Sequence, residues 1–231
     1  MSLSIDFEDW LAFGTSVISD SNGRQGVLSS RIRPQTGTSL VGRAYCVRVV
    51  VGDSASLHQA LEVVPSGSVL VVDAGGFADR AVWGEVLTAA AQHRGVVGAV
   101  IDGAIRDVAA IRRRGFPVYS ISISAAGPHK ASGGEWGAGV SCGGVSVNTG
   151  DLIVADEDGV VVVPWESREV IAAAARANMR REEKLIAQIR AGLSTAEYFG
   201  LTRQGPDKDG RATTVSEAGP KATSPHSGET T

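Results

Sequence analysis

Cysteine is scarce in this chain. Cys46 and Cys142 are the only two among 231 residues, which excludes a disulfide framework, and a pair so far apart cannot supply a zinc site alone. Both lie in apolar or glycine-rich surroundings and read as buried free thiols. An excess of positive charge is also missing: Lys+Arg 22 against Asp+Glu 25 gives a net charge of −3. That leaves no basic footprint, so nucleic acid is not expected as a direct partner. No apolar run approaches the ~20 residues of a membrane span. Residues 1–10 carry Asp6, Glu8 and Asp9 without a basic stretch, so neither a membrane nor a secretory signal is expected. A cytoplasmic home fits these absences. Large apolar residues then run out at the far end. Residues 204–231 are rich in Gly, Ser, Thr and Pro, with Val215 the only large aliphatic side chain. The expectation is one folded domain, residues 1–203, followed by a disordered tail, residues 204–231.

What is present alternates strand and helix. Residues 7–16 suit a short helix, residues 19–23 form a turn cluster, and residues 24–40 have so little periodicity that they are expected to wrap the surface. Residues 44–51 read as a strand, and Ser54 as N-cap of a helix over residues 55–63. The almost unbroken apolar run 68–73 suits a strand covered on both faces. A loop is expected over residues 74–80. The next helix is expected over residues 81–93, with Val82, Val86, Ala89 and Ala90 on one face. A strand at 97–102, a helix at 108–115 ended by its glycine, and a strand at 117–123 continue the pattern. A Gly/Ser-rich loop, 124–139, carries His129 and Lys130. His129 reads as a plain loop histidine, whereas Lys130 could meet a substrate carboxylate. Residues 142–147 form a glycine-broken strand, residues 152–156 and 160–163 a hairpin, and residues 166–190 a long helix with a charged run at 180–184. Strands crowded at the end of a β/α chain suggest a mixed α/β fold layered β/β/α, not a simple doubly wound sheet.

The chemistry gathers between Gly84 and Asp107. A strand–helix–strand unit carries both of its connections to one end of a parallel sheet, where open α/β folds build their sites. Glu85, Arg106, Asp107 and the amides that open the Gly84 helix can therefore meet. Two carboxylates, a guanidinium and free amides suit a divalent cation beside an anionic oxo-acid. Taken singly, each residue has a plainer role. Asp107 would be an N-cap, Glu85 a first-turn carboxylate favouring the helix dipole, and Arg106 a surface arginine.

The combination of Gly84-Glu85, Arg106-Asp107, Cys142-Gly-Gly-Val and the run from Gly150-Asp151 to Pro164 resembles the RraA-like family across roughly residues 10–200. That family includes metal-dependent 4-hydroxy-4-methyl-2-oxoglutarate aldolases that also decarboxylate oxaloacetate. It also includes non-catalytic regulators of ribonuclease E. The resemblance implies a swivelling β/β/α fold assembled as homotrimers or homohexamers, with a small 2-oxo acid as ligand and Mg²⁺ or Mn²⁺ as cofactor. It implies that Asp107 binds the cation directly, with waters completing the shell. Arg106 would meet the keto oxygen of a pyruvate unit, and Gly84, Glu85, Val86 and Leu87 would receive its carboxylate at the helix start. Glu85 stands where the aldolases carry Asp, and takes the acid–base role. Glu182 or Glu183 would reach the metal through water from a neighbouring subunit. The regulatory relatives lack the upstream acid, so Glu85 favours a lyase working through a pyruvate enolate over a protein-binding regulator.

Overall fold

β-Branched apolar runs, covered on both faces, set the centre of the molecule. The structure is a computed structural model that describes residues 7–201; the expected tail, residues 204–231, lies outside that range. The elements in order are α1 (Phe7–Phe13), α2 (Thr15–Ser21), β1 (Arg33–Thr36), β2 (Leu40–Val49), α3 (Ala55–Ala60), β3 (Ser68–Trp83), α4 (Glu85–His93), β4 (Gly98–Ile105) and α5 (Val108–Arg113). They continue with β5 (Val118–Ile123), β6 (Gly134–Trp136), β7 (Val140–Cys142), β8 (Val145–Val147), β9 (Leu152–Ala155), β10 (Val160–Val163), α6 (Arg168–Arg190) and α7 (Thr195–Tyr198).

The chain divides into two units, Met1–Met179 and Arg180–Thr231. The first contains the main sheet, ordered β1-β5-β4-β3-β2-β9-β10, with β6 also paired to β2. Strands β2, β3, β4 and β5 run parallel. One edge of β2 serves two antiparallel partners, β9 along its first half and β6 along its last residues. Helices α3, α4 and α5 cover one face over a core that includes Leu57, Leu70, Trp83, Ile101 and Phe116. The β7–β8 ribbon supplies the opposite layer, where Cys46 and Cys142 pack with Val71 and Val100. This is the β/β/α layering that the crowded late strands suggest. Both thiols are free and buried as expected, and burial pushes Cys46 up to about 11. A third core packs Trp10, Ile18, Val161 and Ile171 together. In the second unit Ile186, Ile189, Phe199 and Leu201 are exposed. No helix among the described residues is long and apolar enough to cross a membrane.

Several expected boundaries move. The expected loop over 74–80 is part of β3, which pairs irregularly with β4 through Asp73↔Asp102, Phe77↔Gly103, Ala81↔Ala104 and Trp83↔Ile105, with extra residues bulged out on the β3 side. Helix α4 consequently starts at Glu85, not Ala81. The helical spacing of Val82 and Val86 is a coincidence: Val82 is buried in the strand, while Val86 is 73% exposed and α4 buries Leu87, Thr88 and Ala91. β-Branched and aromatic residues at 82–83 favour the strand that claims them. The aperiodic segment 24–40 supplies the edge strand β1, paired antiparallel to β5. Helix α3 ends at Ala60, and its start is capped by Asp53, whose Oδ1 accepts from Ala55 N at 2.7 Å, not by the Ser54 side chain.

Candidate functional site

Strand register builds the site. Trp83 pairs with Ile105 where β3 and β4 end, and Arg106 N donates to Trp83 O at 2.9 Å. The residues that follow the strands, Gly84-Glu85 and Arg106-Asp107, therefore lie side by side. The strand-to-helix turn is fastened by Trp83, whose indole N–H donates to Thr88 Oγ1 at 2.8 Å while that hydroxyl donates to Gly84 O at 3.0 Å. Thr88 is fully buried, and the Trp83 ring stacks on Phe116. Gly84 is required by close approach, because a Cβ there would lie 2.6 Å from Asp107 Oδ2 and 3.2 Å from Arg106 Cγ.

Asp107 is not the ordinary N-cap its position suggests. Its backbone is left-handed (φ 58, ψ 29), and its side chain makes no capping bond to its own helix α5. Such a conformation costs on the order of 1–3 kcal/mol outside glycine, although Asp and Asn bear it best. The carboxylate instead crosses to the neighbouring helix, where Oδ2 accepts from Glu85 N at 3.1 Å and lies 3.6 Å from Arg106 Nε. Both contacts fall on one oxygen, and among the described residues Oδ1 meets no donor. The Val86 and Leu87 amides belong to the first turn of α4 and have no partner within the helix.

These groups border a cavity of about 90 Å³. Gly84, Val86, Leu87, Arg106, Asp107 and Lys130 line it. Glu85 does not line it. Its Oε1 accepts from Arg114 Nε at 3.2 Å and Nη2 at 3.1 Å, so the backbone of Glu85 belongs to the site while its carboxylate is held to one side. The His129 ring is also outside the lining; its backbone N–H donates to Gly52 O and its carbonyl accepts from Ser54 N.

Asp53 delivers Lys130 to the cavity. It is 3% exposed, and its Oδ2 accepts from Ala131 N at 2.8 Å and Ser132 N at 3.0 Å, pinning this loop to the start of α3. Burial opposes its charge, but those amides, with Ala55 N and the nearby His129, outweigh it and hold the carboxyl below the usual carboxylate range. Ser54, read from the sequence only as an N-cap, and His58, not singled out there, also line the cavity. Their i,i+4 spacing, from the N-cap position of α3 to His58 within it, is the signal that was available. Burial, and then the Lys130 charge, lower the His58 pKa, so it is a neutral imidazole at neutral pH.

The site therefore combines one carboxylate with a free oxygen, two cations, open helix amides and a neutral imidazole. This set suits an anionic ligand at a helix start. Glu182 and Glu183 lie on α6 with exposed side chains. Among the described residues no group of three or more His, Cys, Asp or Glu side chains is placed to hold a metal ion.

The RraA-like family, described as Aldolase/RraA, matches residues 15–162. A protein of Halalkalibacterium halodurans named "Putative 4-hydroxy-4-methyl-2-oxoglutarate aldolase" is 35% identical over 170 residues, 73% of this chain and 81% of that protein. The RNA-processing inhibitor RraA from Thermus thermophilis superposes with a TM-score of 0.61 at 30% identity, over 65% of this chain and 92% of that one. An unusual member of the RNase ES inhibitor RraA family from Streptomyces coelicolor gives 0.71 at 27% identity, over 80% of this chain and 96% of that one.

Proposed function

This chain belongs to the RraA-like family, and from that premise we propose that it is a divalent-metal-dependent lyase cleaving a carbon–carbon bond of a 2-oxo acid. The reactions in view are retro-aldol cleavage of the 4-hydroxy-4-methyl-2-oxoglutarate type and decarboxylation of oxaloacetate. The observation that carries the reading is the meeting of Arg106, Asp107 and the open α4 amides at one small cavity.

The residues fit the cation. Asp107 offers a hard oxygen, Oδ1, on a side chain fixed through Oδ2, and a single carboxylate completed by waters is a common way to hold Mg²⁺. Mg²⁺ or Mn²⁺ bound there would supply Lewis-acid stabilisation of charge on the 2-oxo oxygen. The chain's own groups do the rest. The Val86 and Leu87 amides, at the positive end of α4, receive the substrate carboxylate. Arg106 places its guanidinium where the oxo oxygen gains negative charge as the bond breaks, which favours the transition state over the ground state. No lysine Schiff base is required. Lys130 and neutral His58 border the remainder of the cavity and face the group that leaves. Glu85 is the acid–base residue of this reading, acting through water because its carboxylate lies outside the cavity lining; Arg114 holds Oε1, and Oε2 has no partner among the described residues.

The same reading assembles the protein as a homotrimer or homohexamer, with Glu182 or Glu183 of a neighbouring subunit completing the site. Its support is the exposure of Val50 and Val51 after β2, Phe77 in the β3 bulge and Ile123 at the end of β5. Apolar side chains at that end of the sheet favour burial against another copy.

Purified protein with Mg²⁺ or Mn²⁺ should release CO₂ from oxaloacetate faster than the metal alone, and chelator should stop it. A rate equal to the metal-alone rate, on oxaloacetate and on 4-hydroxy-2-oxo acids alike, sinks the lyase reading. The second reading, a non-catalytic protein-binding regulator, would then lead. Its support is that the Thermus relative is named an RNA-processing inhibitor and the Streptomyces one an unusual member of the RNase ES inhibitor family.

A further inference from the structure

A second cavity, of about 410 Å³, lies at the opposite end of the parallel strands, where β3 begins. Its size falls within the range of small-molecule sites, roughly 300–1,000 Å³. Two β-turns wall it. In the first, Ser68 N donates to Pro65 O at 3.3 Å; in the second, Asp151 N donates to Asn148 O at 3.0 Å. Arg43, on β2, stands between them. Its Nε donates to Gly150 O at 3.0 Å, and its guanidinium carbon lies 4.0 Å from the centroid of the Trp165 ring. Gly150 (φ 102) permits this close packing, since a Cβ there would fall 2.9 Å from Arg43 Nη2.

The guanidinium is thus held on two sides, yet among the described residues no carboxylate lies within ion-pair distance of it. Arg48 by contrast meets Asp73 and Glu135, Arg114 meets Glu85, and Arg176 meets Asp9, whereas Arg33, Arg80 and Arg112, like Arg43, donate to backbone carbonyls. The nearby acid, Asp151, is already engaged, accepting from Asn148 N on Oδ2 and Trp165 N on Oδ1. Arg43 has five N–H donors in a rigid fork and one is used within the protein, so a pair of them is available to a carboxylate. Around it the lining is mixed: the Tyr45 ring and Pro65 are apolar, and Ser66 and Ser68 carry hydroxyls. A single cation matches a single negative charge, and the apolar lining residues Phe7, Tyr45 and Pro65 match an apolar body.

We infer that this cavity is a second ligand site, for a small monocarboxylate with a ring-sized apolar body, its carboxylate seated on the fork of Arg43. The inference is independent of the lyase reading, because none of its residues borders the other cavity.

Benzoate is the probe, with benzyl alcohol as the uncharged control and inorganic phosphate as the anion without a body. By calorimetry on the full chain, benzoate should bind with a Kd of about 1 mM or tighter, the range expected for so small a ligand, and both controls at least roughly tenfold more weakly. Arg43→Gln should weaken benzoate roughly tenfold or more, the loss expected when a charged hydrogen-bond pair is removed. If Arg43→Gln does not fold, Arg43→Lys carries the test: it keeps the charge but loses the fork, and should still bind benzoate several-fold more weakly than wild type. Hydrogen exchange should show benzoate protecting residues 65–68 and 148–151, and turnover of oxaloacetate should be the same in Arg43→Gln and wild type. The proposal is overturned by absence of benzoate binding, by equal affinity for benzyl alcohol, by indifference to both Arg43 variants, or by protection confined to residues 84–88 and 106–107.

Discussion

Each end of the parallel strands presents an arginine beside a tight connection, and the two ends differ in what surrounds it. Where β3 and β4 finish, Arg106 has the Asp107 carboxylate 3.6 Å away, open amides of α4 beside it and a cavity of about 90 Å³. Where β3 begins, Arg43 is packed against Trp165 and Gly150 with no carboxylate of the described residues in ion-pair reach, in a cavity more than four times larger (about 410 Å³ against 90 Å³). Opposite charges crowded into a small space can hold a cation and an oxo-acid together and respond to charge that develops between them. One charge in a mixed lining of hydroxyls and apolar surface can hold a ligand but sets no opposite charges around a reacting bond. The difference follows the sheet rule that chemistry gathers beyond the carboxyl ends of parallel strands.

The sharpest way to break that contrast is Asp107→Asn. Turnover of oxaloacetate should fall to the metal-alone rate. The fold should survive, because Asn tolerates the left-handed backbone and its amide oxygen can still accept from Glu85 N. Circular dichroism beside CO₂ release separates the two outcomes, and unchanged turnover would leave Asp107 a purely structural residue. Arg106→Lys comes next. It keeps the charge but loses the planar fork, and the expected loss in kcat is on the order of 10²-fold, as when one preorganised oxyanion donor is removed. A loss confined to KM would mean that Arg106 binds substrate without stabilising the developing charge.

Asp53→Asn tests how the Lys130 side of the site is held. Its amide would turn an N–H₂ toward backbone N–H groups that now meet a carboxylate. Stability should fall by about 2–3 kcal/mol in denaturant unfolding, and the KM for oxaloacetate should rise as Lys130 shifts. The folded-state pKa of Asp53 is depressed, so the stability it contributes is full above the unfolded value of about 3.9 and is lost as pH falls through the folded one. The gap between wild type and Asp53→Asn should therefore narrow below about pH 4. A gap that is constant with pH would assign the effect to shape, not charge.

Much of the candidate site was legible because it depends on local order. A strand, a helix and a second strand fix which connections meet, so Gly84, Arg106 and Asp107 could be placed together before any distance was known. The hairpin β9–β10 was legible for the same reason, as two aliphatic runs about a Gly turn. What stayed hidden depends on contacts distant in sequence. Ser54 and His58 enter the cavity through α3; Lys130 was suggested by the sequence, but the Asp53 clamp that brings it there, bridging residues 53 and 132, was not. The start of α4 was misjudged because Val82 and Val86 imitate a helical stripe, while the pairing of residues 77–83 with β4 decides the matter. Strand β1 has no apolar alternation because only Thr36 is buried; backbone pairing to β5 alone makes it a strand.

The smallest expected effect concerns the pair that sits just outside the cavity. Arg114 and Glu85 have side chains 37% and 43% exposed, so their ion pair is screened by solvent and contributes at most about 1 kcal/mol. Arg114→Gln should thus lower stability by less than that, and the deficit should vanish in about 1 M salt, where the screening length is roughly 3 Å. Turnover is the more informative reading. Arg114 orients the one Glu85 oxygen it touches, and releasing it leaves the carboxylate free to sample other rotamers around the helix start. If Glu85 is the acid–base group, kcat should fall a few-fold with KM unchanged, and Arg114→Lys should recover part of the loss by restoring a cation. If Glu85 serves only the α4 dipole, both variants should turn over like wild type, and the work at this end of the sheet would fall to Arg106 and Asp107 alone.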